Sequence, residues 1–361
     1  MRTAAQKSLL AWSVTLSASL FACSSERPAA PTPTQHVAYV TVEVLGGVAI
    51  DLIDAEADTV LRRIPSAGIG SPMSLVASSD GSWLASFNGT ARSGVTLFDL
   101  RTESVVTAES VQVETGDFLS GGSRLVVHHR DSTIVYNVPE LTVDTSMSFG
   151  RLYGVHSRRQ NEIAAVVRHL NPAYNGFLRL ATDDWRIIDS FTFVSPMSDG
   201  GILALSTVFS QNGERVFVLG ADAAGAAVFS YNVGDHSMLF RVPVESVLGR
   251  IQATPNGDEL WISQSYSNLT YPPPQHLGYV LVLDADTGVP IDTIRTTGLS
   301  RFTPQWPLNV RQITFHPLGK KAFVAALENP GLFVVDTDTK EVISRLYEDD
   351  HISVFDIAIS P

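Results

Sequence analysis

The chain has 361 residues, 44% of them apolar and 17% charged, and a formal charge of −12. That apolar share supports a large core and excludes disorder for the main body. The acidity argues against nucleic acid as a partner and against electrostatic docking on anionic lipid, and a single cysteine leaves stability to packing rather than to disulfides.

Residues 1–22, MRTAAQKSLLAWSVTLSASLFA, carry Arg2 and Lys7 and no acid, then an apolar stretch from Ser8 to Phe21 and a small last residue. This predicts an export signal, since the stretch is too short and too rich in Ser and Thr for a spanning helix. Removing those two cations from −12 leaves a mature chain near −14. Cys23 follows at once, and Leu20-Phe21-Ala22-Cys23 resembles the lipobox of bacterial lipoproteins. The resemblance implies cleavage before Cys23, acylation of its thiol and new amino group, and stable membrane attachment. The alternative is an ordinary secreted protein with an incidental cysteine. Ser24 in place of Asp resembles outer-membrane sorting in Gram-negative lipoproteins, on the periplasmic or the cell-surface side. Residues 23–36, with SSERPAAPTPTQ after the cysteine, have no apolar period and predict an extended tether.

From residue 37 to 361 one cassette recurs: an apolar run, an Asp or Asn, a three-residue turn, a second apolar run. It reads VAIDLIDAEADTV at Asp54, VTLFDLRTESVV at Asp99, IVYNVPELTV at Asn137, VFSYNVGDHSML at Asn232, YVLVLDADTGVPI at Asp284 and LFVVDTDTKEVI at Asp336. With a degenerate copy near Ala181, GFLRLATDDWRII, the mean spacing is about 47 residues. A second series of turns interleaves: SSDG (78–81), SGGS (120–123), SRRQ (157–160), SQNG (210–213), TPNG (254–257) and HPLG (316–319). Gly, Asn and Asp supply the positive φ angles that tight hairpins need. Short strands at this period with no helical pattern predict an all-β fold, a seven-bladed β-propeller of four-stranded antiparallel blades.

Six blades are contiguous, at roughly 71–110, 113–149, 150–194, 201–244, 247–296 and 308–347. The seventh is split. Residues 351–361 supply an inner strand, 37–65 supply three outer strands, and their pairing closes the ring with no free sheet edge. Tyr39-Val40-Thr41, VAIDLIDAEADTVLRRI and SPMSLVASSDG resemble the YVTN β-propeller repeat, with its Y-V-T-N, V-x-V-I-D, T-x-x-V and S-P-D-G pattern. The resemblance implies a seven-bladed propeller, usually extracytoplasmic, and is similar in fold to lactone-hydrolysing propellers. It implies no single activity.

Strand order puts the loops between strands two and three, and those between blades, on one upper face. Three long connections lie there: RHLNPAYNG (168–176), SYSNLTYPPPQHLG (265–278) and TTGLSRFTPQWPLN (296–309). They carry His169, Tyr174, Tyr266, Tyr271, His276, Arg301, Phe302 and Trp306, a mixture that suits recognition of a protein, peptide or glycan. The alternative is that these loops merely cover apolar edges. Counting four residues back from each inner-strand turn gives Ser74, Gly116, Tyr153, Ser206, Arg250, Gln312 and Asp356 as channel-facing positions. Arg250, Gln312 and Asp356, from consecutive blades, are expected to meet, either around an anion or sugar-like ligand or as an ion pair with water.

No metal motif is present, and His128-His129 face opposite sides of a strand. His316 replaces Ser in a lower-face turn and reads as structural. There is no G-x-S-x-G, and Asp284-Ala285-Asp286-Thr287-Gly288 reads as a turn, so no cofactor and no catalytic residue is assigned. The expected function is a monomeric, membrane-anchored binding module, with Arg250, Gln312, Asp356, Tyr153, His351, Tyr266, Tyr271, Arg301 and Trp306 as ligand-binding candidates. The competing expectation is a lactonase-like hydrolase in which Arg250, Asp356 and His351 converge at the channel mouth.

Overall fold

The computed structural model describes residues 36–361 except 45–46, 66–71, 89–93, 103, 110–112, 120, 130–131, 149–150, 160–161, 169–174, 196–200, 247–248, 269–274, 296–309, 327–330, 348–351 and 361. The expected signal and tether, with Cys23, lie outside the described residues. So do His351, Tyr271, Arg301, Trp306, His169, Tyr174 and Phe302, and the side chains of Tyr153, Tyr266 and His276.

The chain enters through β1 (Val37–Val44), β2 (Gly47–Asp54) and β3 (Thr59–Pro65). Blade one is β4 (Pro72–Ala77), β5 (Trp83–Asn88), β6 (Gly94–Asp99) and β7 (Val105–Glu109). Blade two is β8 (Val113–Phe118), β9 (Arg124–His129), β10 (Thr133–Asn137) and β11 (Thr142–Met147). Blade three is β12 (Arg151–Arg159), β13 (Glu162–Arg168), β14 (Gly176–Ala181) and β15 (Ile187–Thr192). Blade four is β16 (Leu203–Phe209), β17 (Arg215–Asp222), β18 (Gly225–Asn232) and β19 (Met238–Pro243). Blade five is β20 (Ile251–Ala253), β21 (Glu259–Asn268), β22 (Gln275–Asp284) and β23 (Pro290–Arg295). Blade six is β24 (Val310–Phe315), β25 (Lys321–Ala326), β26 (Leu332–Asp336) and β27 (Val342–Leu346). Last comes β28 (Ser353–Ile359), which pairs with β1 in a sheet of order β28-β1-β2-β3. The seven four-stranded antiparallel sheets form the expected closed propeller, with the split blade where the sequence puts it.

The apolar runs follow from blade stacking. Each blade is covered on both faces, so its middle strands are apolar at successive positions rather than alternate ones. In β17, Val216 and Val218 enter the cluster between blades three and four, while Phe217 and Leu219 enter the one between four and five. Seven such clusters occupy the seven seams, including that between the closing blade and blade one, with Tyr39, Ile50, Leu75 and Phe98. Each fully buried Phe or Leu there contributes about 1.5–3 kcal/mol.

The cassette turns are built alike. Asp54, Asp99, Asn232, Asp284 and Asp336 each accept backbone N–H groups two and three residues on. Four residues beyond the turn residue the backbone is left-handed, at Asp58, Leu141, Trp185, His236, Gly288 and Lys340. Only Gly288 takes this conformation without steric cost.

One expectation is corrected. The connection 265–278 is not a free loop, because β21 and β22 each run for ten residues and pair from Glu259↔Asp284 to Asn268↔Gln275. Ser and Asn give little strand propensity, but cross-strand backbone bonds carry the hairpin past the body of the blade. Tyr266 and His276 therefore stand on strands, in the pairs Tyr266↔Leu277 and Ser267↔His276.

Candidate functional site at the channel wall

The inner strands β4, β8, β12, β16, β20, β24 and β28 surround the axis, and their polar side chains act between blades. In a stacked sheet, side chains stand perpendicular to the strands, so they reach the next blade beside the channel instead of pointing along a radius into it. Ser74 Oγ is 3.2 Å from Thr115 Oγ1, Ser206 Oγ accepts from Ile251 N at 3.2 Å, and Thr314 Oγ1 donates to Ile357 O at 3.1 Å. Asp356 belongs to the same set: its Oδ2 accepts from Leu75 N at 2.7 Å and its Oδ1 from Ile357 N at 2.9 Å.

Thr115, rather than Gly116, is the blade-two member. Leu119 stands where other turns carry Ser78, Ser210, Thr254 or His316, accepting from Gly122 N and donating to Arg124 O, so the turn begins one residue earlier than SGGS implies. Gly116 has a packing reason instead: a Cβ there would lie 2.4 Å from Val126 O and 2.7 Å from the Phe87 ring.

Asp356 and Arg250 are electrostatically coupled across the channel wall. Asp356 is 6% exposed, and burial pushes its carboxyl up to about 6. The Leu75 and Ile357 amides, the Arg250 charge and Ser74 pull the other way. Arg250 itself is exposed, just ahead of the three-residue strand β20. Its backbone is clamped to β21, with its N donating to Ser263 Oγ at 2.7 Å and its O accepting from Ser263 N at 2.9 Å. Gly249 permits this approach, since a Cβ there would fall 1.6 Å from Ser263 O. Gln312 is half-buried on β24, between those two blades in the ring. The wall thus offers a fixed cation and a buried acid that changes charge near neutrality, suited to an anionic or hydroxyl-rich group.

A second polar group escaped sequence reading. His36, Glu56 and His316 meet on the lower face with their ligand-capable atoms all within 4.8 Å. The signal available was His316 at a turn position held by Ser78 and Ser210 elsewhere.

No family model matches this chain, and no curated protein matches it. Solved structures do. A "putative 6-phosphogluconolactonase" from Bacteroides fragilis is 14% identical, with 92% of this chain and 99% of that one covered and a TM-score of 0.63. A "putative 6-phosphogluconolactonase" from Bacteroides uniformis is 12% identical, covering 90% and 99%, with a TM-score of 0.64. Hydrazine synthase of Kuenenia stuttgartiensis is 18% identical, covering 78% and 82%, with a TM-score of 0.61. The chain is similar to all three in fold, and at these identities the likeness establishes the fold alone.

Proposed function

We propose that this chain is a YVTN-type propeller lipoprotein, exported, anchored through lipid on Cys23 and acting as a binding module outside the cytoplasm. Its upper face recognises a protein, peptide or glycan, and the Arg250–Gln312–Asp356 wall takes an anionic or hydroxyl-rich group of that ligand. The observation that carries this reading is an exposed, backbone-clamped Arg250 whose charge acts on a buried Asp356 that already holds backbone amides on both oxygens. An acid anchored in this way tunes the wall and leaves the guanidinium to meet a ligand. Tyr153, Tyr266, His276, Tyr271, Arg301, Trp306 and His351 complete the proposed face.

The test has two arms. Thermal stabilisation of the full chain is measured against a panel of sugars, sugar phosphates and lactones, and an Arg250→Ala variant is expected to lose any shift. A shift that survives Arg250→Ala removes the wall from the reading. In cells, Cys23→Ser is expected to move the protein from the membrane fraction to the soluble one, and an unchanged distribution removes the anchor.

A lactone hydrolase is the second reading. It is favoured by the raised Asp356 carboxyl, which keeps its proton to a higher pH, about 6, than an ordinary carboxyl and so moves toward the range a general acid needs. Turnover of 6-phosphogluconolactone that Asp356→Asn abolishes would establish it over the binding module.

A further inference from the structure

The lower face carries a cluster that neither reading uses. His36 precedes β1, Glu56 lies in the turn from β2 to β3, and His316 opens the turn from β24 to β25. Three segments distant in sequence therefore meet at the seam between blade six and the closing blade. His36 Nδ1 lies 2.7 Å from Glu56 Oε1 and His316 Nε2 lies 3.3 Å from the same oxygen. The two imidazoles meet edge to face, with centroids 4.7 Å apart.

We infer that this seam is a site for a borderline divalent cation of the Zn2+ class, held by His36 Nδ1, Glu56 Oε1 and His316 Nε2. Two imidazoles and one carboxylate form a donor set that Zn2+ accepts with a fourth position left to water. Donors on one tetrahedral Zn2+ stand roughly 3.3 Å apart, so only small side-chain movements are needed from the present spacing. The side chains of His316 and His36 are 5% and 13% exposed, while Glu56 at 47% faces solvent and leaves the water position open.

The charges fit as well. The nearby cation, Lys321, is engaged by Asp58 at 2.9 and 3.0 Å and by the carbonyls of Ala55 and Glu56. One rearrangement is required. His316 Nδ1 accepts from Leu318 N at 3.1 Å, which places the ring proton on Nε2. A cation on Nε2 moves that proton to Nδ1 and frees the Leu318 amide, with no net proton released.

The experiment uses the full chain, stripped by chelator and titrated with Co2+ and then Zn2+. One equivalent of Co2+ is expected to give the visible absorption of a low-coordinate site and to be displaced by Zn2+, which also raises the melting temperature. Glu56→Gln and His316→Ser are each expected to weaken uptake roughly tenfold or more. His316→Ser restores the residue that blades one and four use in this turn, so the variant keeps its cap while losing the ligand. His36→Ala, outside the turn, serves as a second ligand deletion. Absence of saturable uptake overturns the inference. So does uptake left unchanged by both Glu56→Gln and His36→Ala.

Discussion

Ser360 and Val37, 323 residues apart, make the hydrogen bonds of a hairpin that has no covalent turn. Ser360 N donates to Val37 O at 3.0 Å and Val37 N donates to Ser360 Oγ at 3.3 Å. In blade one the same pair is Ser78 N to Trp83 O at 2.9 Å and Trp83 N to Ser78 Oγ at 2.9 Å. Ala55 N donating to His36 O likewise repeats Leu100 N to Ser82 O. Each hydroxyl closes one backbone amide, so Ser360→Ala is expected to cost about 1 kcal/mol, as is Ser78→Ala. Urea unfolding midpoints of the two variants measure this, and an unaffected Ser360→Ala would mean that the closing blade does not rely on the copied turn.

The first residue of strand two reaches the outer turn of the following blade at several seams. Arg124 Nη1 donates to Thr182 O at 2.7 Å, and Arg215 Nη1 to Ala285 O at 3.2 Å and Asp286 at 2.7 Å. Glu259 meets Lys340 with the charges reversed, and Lys321 holds Ala55, Glu56 and Asp58. Lys321→Met is expected to cost about 1–3 kcal/mol, because acceptors lose their donor where the turn between β2 and β3, joined to β28 only through hydrogen bonds of β1, meets blade six. Arg215→Met, whose carboxylate partner is 81% exposed, is expected to cost less. Denaturant titration of both gives the ranking, and the reverse order would place the greater burden on the seam between blades four and five.

Asp356 sets a pH dependence of unusual sign for a carboxylate. Its folded pKa of about 6 lies above the ordinary value, so the fold prefers the protonated acid. The stability it contributes is complete below about pH 4 and is lost as pH rises through 6, about 3 kcal/mol in all. Asp356→Asn is expected to flatten that interval. Melting temperatures of the two proteins from pH 4 to 8 check it, and parallel profiles would refute the assignment.

Asp222 runs the opposite way. Arg241 Nε and Nη2 donate to it at 2.9 and 2.8 Å and Ser195 Oγ at 2.7 Å, holding its carboxyl down to about 2. Stability from this pair is present above about pH 4 and is lost as pH falls toward 2. Arg241→Ala strands a carboxylate whose side chain is 0% exposed and is expected to cost about 3–5 kcal/mol. Adding Asp222→Ala should recover part of the loss, and a double variant weaker than the single would contradict a stranded charge.

Much of the fold was legible because its turns repeat a chemical requirement, an Asp or Asn whose side chain holds two backbone amides. The split blade was legible for the same reason, since Ser360 repeats the turn position that Ser78 holds in blade one. The wall was only partly legible. Leu119 in a Ser position moved the blade-two count by one residue, and a strand pattern does not tell whether a side chain meets the channel or the next blade. The histidine cluster was invisible, because His36, Glu56 and His316 approach only when the ring closes.

The ring closure also orders events in time. β1, β2 and β3 are synthesised before the other described strands, yet the inner edge of β1 is covered only by β28, the last of these in chain order. Throughout synthesis VAYVTVEV, with Glu43 as its one charge, presents unpaired amides and carbonyls along an apolar β-rich segment. Sequence separation this large makes the final pairing slow relative to local hairpins. A nascent or prematurely terminated chain is therefore a template for intermolecular strand addition, a hazard the finished molecule no longer carries.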